Sequence, residues 1–150
     1  MDVKLAEPPG HRSCGVGGTW QPCERPGRGN VPYWPGELDA LVATCAPADG
    51  RLLRAELRSK MQRAMGGSLS YGPKSDVLQM RIAPLVLEIR LGRRLDTTQG
   101  EKLVRLYFSE PAHEEGMLLA ARLGWKNPAA VAEQDAHALD AQERVLDHFA

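Results

Sequence analysis

The period of the hydrophobic pattern changes twice along this chain, and that change restricts the fold more than any other feature. From Glu37 to Met65 apolar residues recur at helical spacing, from Val77 to Leu123 they alternate, and after Asn127 helical spacing returns. The alternating segments are separated by gaps too short for crossover helices, so neighbouring strands should be antiparallel. Helices kept apart from strands in this way predict an α+β fold: two N-terminal helices, an antiparallel four-stranded sheet and a C-terminal helix.

In the first helix Leu38, Leu41, Val42 and Cys45 fall on one face, and Pro47 should stop it. The second runs from Asp49 or Gly50 to Met65. Leu53, Leu57, Met61, Ala64 and Met65 form its apolar stripe, basic residues cover the rest, and Gly66-Gly67 ends it. Strands are expected over Val77–Ile82, limited by Pro84, then Leu85–Leu91, Lys102–Phe108 and Met117–Leu123. Leu87, Ile89 and Leu91 face one way in the second strand, Glu88 and Arg90 the other. Gly92–Gly100 reads as a polar loop and Pro111–Gly116 as a turn. The last helix starts near Asn127-Pro128. Its apolar pairs Val131/Ala132, Ala138/Leu139 and Val145/Leu146 recur every seven residues, interrupted by Asp135 and Gln142, with an acidic opposite face. That stripe is expected to pack on the Leu87, Ile89 and Leu91 row.

Residues 1–36 are rich in Gly and Pro and have little periodicity. They read as an irregular N-terminal extension, dispensable for folding, with one short extended piece at Gly18–Pro22 and with Trp20, Tyr33 and Trp34 available to dock it. Residues 37–150 form the domain. The opening residues lack the apolar stretch of a signal peptide, and no apolar run approaches the roughly 18 residues that span a bilayer. A cytoplasmic location and no membrane partner are therefore expected.

Nineteen basic and nineteen acidic residues cancel over the 150-residue chain, which argues against bulk electrostatic coating of nucleic acid. The balance is uneven, however. Residues 51–105 hold twelve Lys/Arg against five acids, and residues 106–150 hold three against eight. A basic middle of this kind permits a local polyanion-binding face.

The strong catalytic spacings are missing: no GK[ST] phosphate loop, no GxSxG, no HExxH. Gly15-Val16-Gly17-Gly18 lacks the strand and helix a nucleotide loop requires. Three cysteines cannot form a fully paired scaffold, and His11, Cys14 and Cys23 lack a CxxC pair, so reduced thiols and no metal or cofactor are expected. What remains is a group of cations and one phenol on the expected strands: Arg90, Arg105, Tyr107 and Arg122, with Lys126 just beyond and Arg81 on the first strand. As surface ion pairs or a sheet aromatic these residues would carry no chemistry.

Leu87-Glu88-Ile89-Arg90, then Val104-Arg105-Leu106-Tyr107-Phe108, then an apolar strand from Leu118 leading to Lys126, then Ala141-Gln142-Glu143-Arg144 follow one another in an order that resembles the RelE/HigB/ParE toxin superfamily, including phage-derived HigB-like proteins. The resemblance covers about residues 37–150. It implies a RelE-like fold and a toxin of a toxin–antitoxin system, a ribosome-dependent mRNA endonuclease (mRNA interferase) that inhibits translation. Its partners would be a cognate antitoxin and mRNA on the ribosome. By motif, Arg90, Tyr107 and Lys126 would be catalytic, Arg81, Arg105 and Arg122 would bind RNA, and Tyr107 or His113 would be the acid/base. A lone Lys126 where the family has a lysine pair, the acidic C-terminal segment, the N-terminal extension and the longer Arg93–Gly100 loop depart from the family pattern. The alternative is a non-catalytic protein-binding module of the same fold, ParE-like or a phage-derived relic.

Overall fold

A computed structural model of the chain describes residues 2–27, 29–129 and 131–150. After a π-helical turn at Arg12–Val16 come β1 (Thr19–Pro22), β2 (Glu24–Arg25), β3 (Val31–Pro32), α1 (Tyr33–Val42) and α2 (Pro47–Met65). There follow β4 (Val77–Gln79), β5 (Leu87–Thr97), β6 (Gly100–Ser109), β7 (Met117–Lys126) and α3 (Val131–His148). The fold is α+β, around a five-stranded mixed sheet ordered β1-β7-β6-β5-β4; β2 and β3 form a separate ribbon.

The β4–β7 meander is antiparallel, as its short connections require. The four-stranded expectation is corrected by β1, which pairs in parallel with β7 from Thr19↔Met117 to Pro22↔Ala120. The residues expected to be irregular thus supply an edge strand, where Pro22 is tolerated because no outer neighbour needs its N–H. They are also pinned elsewhere. The buried Glu110 carboxylate accepts the Ser13 N–H at 2.8 Å, Trp20 packs edge-on against Phe108 at 5.3 Å, and Trp20 Nε1 donates to the Met61 carbonyl at 2.8 Å. The boundary placed at residue 36 falls inside α1.

Pro47 begins α2 rather than only ending α1, because its fixed φ and missing N–H suit the first helical position. At the other end Gly67, with φ 69°, brings α2 against the π-helical turn; an added Cβ there would lie 2.7 Å from the Gly17 nitrogen. The expected polar loop Gly92–Gly100 is instead a continuation of β5 and β6, closed by a tight turn at Thr97–Gly100, with the register shifting between Arg90 and Arg94. β4 stops three residues short of the expected Ile82, which is exposed ahead of Pro84.

Strand alternation sorts side chains between two layers. Leu87, Ile89, Leu91, Val104, Leu106, Phe108, Leu118 and Leu123 pack on α1 and α2 through Leu38, Leu41, Leu53 and Leu57. Each such side chain, fully buried, contributes roughly 1.5–3 kcal/mol. The opposite face carries α3 through Tyr107, Leu119, Ala121, Ala138, Ala141 and Val145. The expectation that α3 covers the Leu87, Ile89 and Leu91 row is therefore corrected: α1 and α2 occupy that row. Leu139 and Leu146 are left exposed, because α3 docks through a narrow stripe of small residues.

Candidate functional site

The α3 side of the sheet gathers five of the six residues singled out above. Arg90 lies opposite Arg105, Glu88 opposite Tyr107, and Tyr107 in turn opposite Arg122. A bulge in β7 leaves Ala121 without a partner, so Arg122 rather than Ala121 faces Tyr107. Lys126 follows on the same face of β7, two residues beyond Gly124.

Glu88 is the hub. Its carboxylate is fully buried, accepts Arg90 Nε at 2.9 Å and Gln134 Nε2 at 2.9 Å, and lies 3.9 Å from Arg105 Nε. Arg90 also donates to the Pro73 carbonyl, and Arg105 to the Val104 carbonyl at 2.9 Å. Burial lowers the Arg105 guanidinium from its ordinary range, and Glu88 opposes that shift. Burial, reinforced by the Glu88 charge, pushes the Tyr107 phenol far up, so it keeps its proton.

Under the middle of α3 the Arg122 guanidinium donates to the Asp140 carboxylate and lies 4.0 Å from Glu37. Arg144 pairs with Glu37 and with Asp140, each at 3.0 Å, and stacks 3.8 Å above the Tyr33 ring. Burial pushes the Glu37 carboxyl up against the opposing pull of Arg144. Lys126 Nζ donates to Gln134 Oε1 at 2.9 Å. His137 fits over Gly124, where a Cβ would lie 2.7 Å from its Nδ1, and burial lowers its pKa, with Arg122 adding to the shift.

A cleft of about 440 Å³ opens at the edge of this face, between β4, β5 and the first turn of α3, lined by Pro73, Arg81, Glu88, Arg90, Gln134 and Asp135. Arg81 is exposed at its rim. His113 stands apart in the turn after β6, its ring 4.5 Å from that of Phe149. Among the described residues no group of three His, Cys, Asp or Glu side chains is placed to hold a metal, and Cys14, Cys23 and Cys45 are free thiols. Burial pushes the Cys23 thiol up to about 12.

Sequence reasoning had Glu88 only as a partner of Arg90 in a surface ion pair, and it had Asp140 on an acidic helix face able to neutralise the cations, as its contact with Arg122 now shows; it missed Gln134 and Glu37. One signal was present: the polar residues interrupting the α3 stripe mark its docking face. Asp135 lines the cleft, and Gln142 Oε1 accepts the Leu85 N–H at 3.1 Å.

The arrangement combines a carboxylate, two guanidinium groups and a protonated phenol on one face of the sheet, with Glu88 and Tyr107 buried against α3. It can hold an anion, accept a proton and donate one. No protein-family model, curated protein or solved structure matches the chain.

Proposed function

We propose that the chain is a toxin-type protein of the RelE/HigB kind, whose α3-side sheet face binds the RNA backbone and cleaves mRNA on the ribosome. The observation that carries this reading is the placement of Arg90, Arg105, Tyr107, Arg122 and Lys126, from three strands, on one face beside a cleft. In the proposed reaction, for which α3 must move off the buried Glu88 and Tyr107, Glu88 takes the proton of a ribose 2′-OH. The 2′-oxygen attacks the adjacent phosphorus, giving a 2′,3′-cyclic phosphate, and the 5′-oxygen leaves with a proton from Tyr107. Arg90 and Arg105 offset the negative charge that builds on the pentacoordinate phosphate. Burial keeps the Tyr107 phenol protonated, so it can donate a proton and cannot serve as the base. A cognate antitoxin would restrain the activity.

A second reading has its own support. Arg90, Arg105 and Arg122 each lie within 4.0 Å of a carboxylate of the same chain. That internal neutralisation suits a non-catalytic module that acts by binding a protein. Induction without a partner separates the two. The nuclease reading predicts growth arrest relieved by Arg90→Ala with Lys126→Ala. Arrest that persists in that folded variant assigns the effect to partner binding, and full viability on strong induction of folded wild type counts against both.

A further inference from the structure

α3 lies across the proposed site, and its first ten residues are fastened there by polar contacts to the site residues themselves. The Gln134 amide reaches two of them at once: Nε2 donates to Glu88 at 2.9 Å, while Oε1 accepts from Lys126 at 2.9 Å. Six residues on, Asp140 accepts from Arg122. Among the described side chains of this half the buried apolar one is Ala138, which contributes little burial, and His137 packs over Gly124. The second half is anchored differently, by Ala141 and Val145 in the core and by Arg144 between Glu37 and the Tyr33 ring.

The polar contacts of the first half are those a nucleic-acid backbone would compete for. A phosphate at Arg122 takes the guanidinium N–H that Asp140 now holds, and a phosphate at Lys126 takes the ammonium from Gln134. The face also has donor capacity to spare. Arg105 Nε and Arg122 Nε are buried with no hydrogen-bond partner, at 3.9 Å from Glu88 and 4.0 Å from Glu37.

We propose that the first half of α3 is an autoinhibitory lid, in which Asp140 and Gln134 occupy the contacts of an RNA phosphate backbone until a bound strand displaces them. The proposal rests on the reading of this sheet face as an RNA site. It differs from a purely structural helix in one respect: ligand must loosen the first half of α3, whereas binding to an ordinary folded surface leaves a helix unchanged or more protected.

Hydrogen exchange on the full chain, with and without a saturating short oligouridylate, tests it, together with Gln134→Ala and Asp140→Asn. The lid predicts that RNA speeds exchange over residues 132–140 of wild type and leaves 141–148 protected. Both variants should show the faster exchange without RNA, keep a cooperative melt and bind the oligonucleotide about tenfold tighter, since a larger fraction of molecules is open. Gln134→Ala changes no charge, so a gain there does not come from net charge. RNA binding without faster exchange over 132–140, or variants that bind no tighter than wild type, overturns the lid. Failure of the opened Asp140→Asn protein to bind RNA at all overturns instead the assignment of the face to RNA.

Discussion

Arg90 Nε donates to the Glu88 carboxylate at 2.9 Å from two residues further along the same strand, and no part of Glu88 is exposed. A buried carboxylate persists only where its charge is compensated, and here Arg90, Arg105 and Gln134 compensate it. Glu88→Gln would leave two largely covered guanidinium groups without their counter-charge. A stability loss of about 3 kcal/mol is expected. Urea unfolding at neutral pH measures it, and a change under about 1 kcal/mol would show that solvent already screens the pair.

Asp76 ties α2 to the sheet. It accepts from Lys60 at 3.0 Å and from the Ser70 backbone at 3.0 Å, while Lys60 also donates to the Arg90 carbonyl at 2.7 Å. Burial pushes the Asp76 carboxyl up, but the Ser70 and Lys60 hydrogen bonds outweigh it and bring the group down from 3.8 to about 2. A carboxyl depressed in the fold contributes stability that is fully present above its unfolded pKa and lost as pH falls through its folded one. The window is therefore about pH 4 to pH 2, and the contribution is about 2 kcal/mol. Asp76→Asn should remove that acid-dependent step from the pH–stability profile and lower stability at pH 7 by a similar amount. A variant with the wild-type acid profile would contradict the assignment.

Gly124 sets how closely α3 approaches β7. A Cβ there would fall 2.7 Å from His137 Nδ1 and 2.8 Å from Tyr107 Cε2. Both rings are held by their surroundings, so Gly124→Ala should cost about 1–3 kcal/mol, as overpacking does. Thermal melts check the loss. His137→Ala in the same background should recover part of it, because it removes one of the two clashing rings. No recovery would place the strain in the sheet instead.

The meander and the two-faced β5 were legible because alternation is a local signal: Leu87, Ile89 and Leu91 against Glu88 and Arg90 read directly off the sequence. Sequence also singled out the cations that share the α3 face. β1 was not legible as part of the sheet. Four residues among Gly and Pro carry no alternation, and their partner β7 lies at the far end of the chain. The face that α3 presents was read half correctly: Ala138 and Val145 of the expected stripe are buried, while their neighbours Leu139 and Leu146 stay exposed and Ala141 takes their place. Close helix–sheet approach favours the smaller side chains. Nor could sequence show that Asp140 and Gln134 meet Arg122 and Glu88, since those contacts join a helix to strands well before it.

Because β1 and the π-helical turn are built into the sheet and its edge, removing the chain before Tyr33 should destabilise the protein rather than leave it unchanged. Trp20→Ala isolates one part of that contribution. It removes the Phe108 contact and the bond to the Met61 carbonyl, and since Trp20 is only half-buried a loss of about 2 kcal/mol is expected, below the full cost of a core Trp truncation. Chemical denaturation of both proteins checks this. A truncated chain as stable as full length would restore the picture of a dispensable extension.

The most direct test of the central claim is to add the purified protein to translating ribosomes and map the ends of the mRNA. The sheet-face site predicts cuts within the ribosome-bound message, leaving 2′,3′-cyclic phosphate and 5′-hydroxyl ends. Those cuts should fall at least a hundredfold in Arg90→Ala with Arg105→Ala, at the scale of lost charge stabilisation in the transition state. Intact message with folded wild-type protein, or cleavage unchanged in that double variant, would contradict the account.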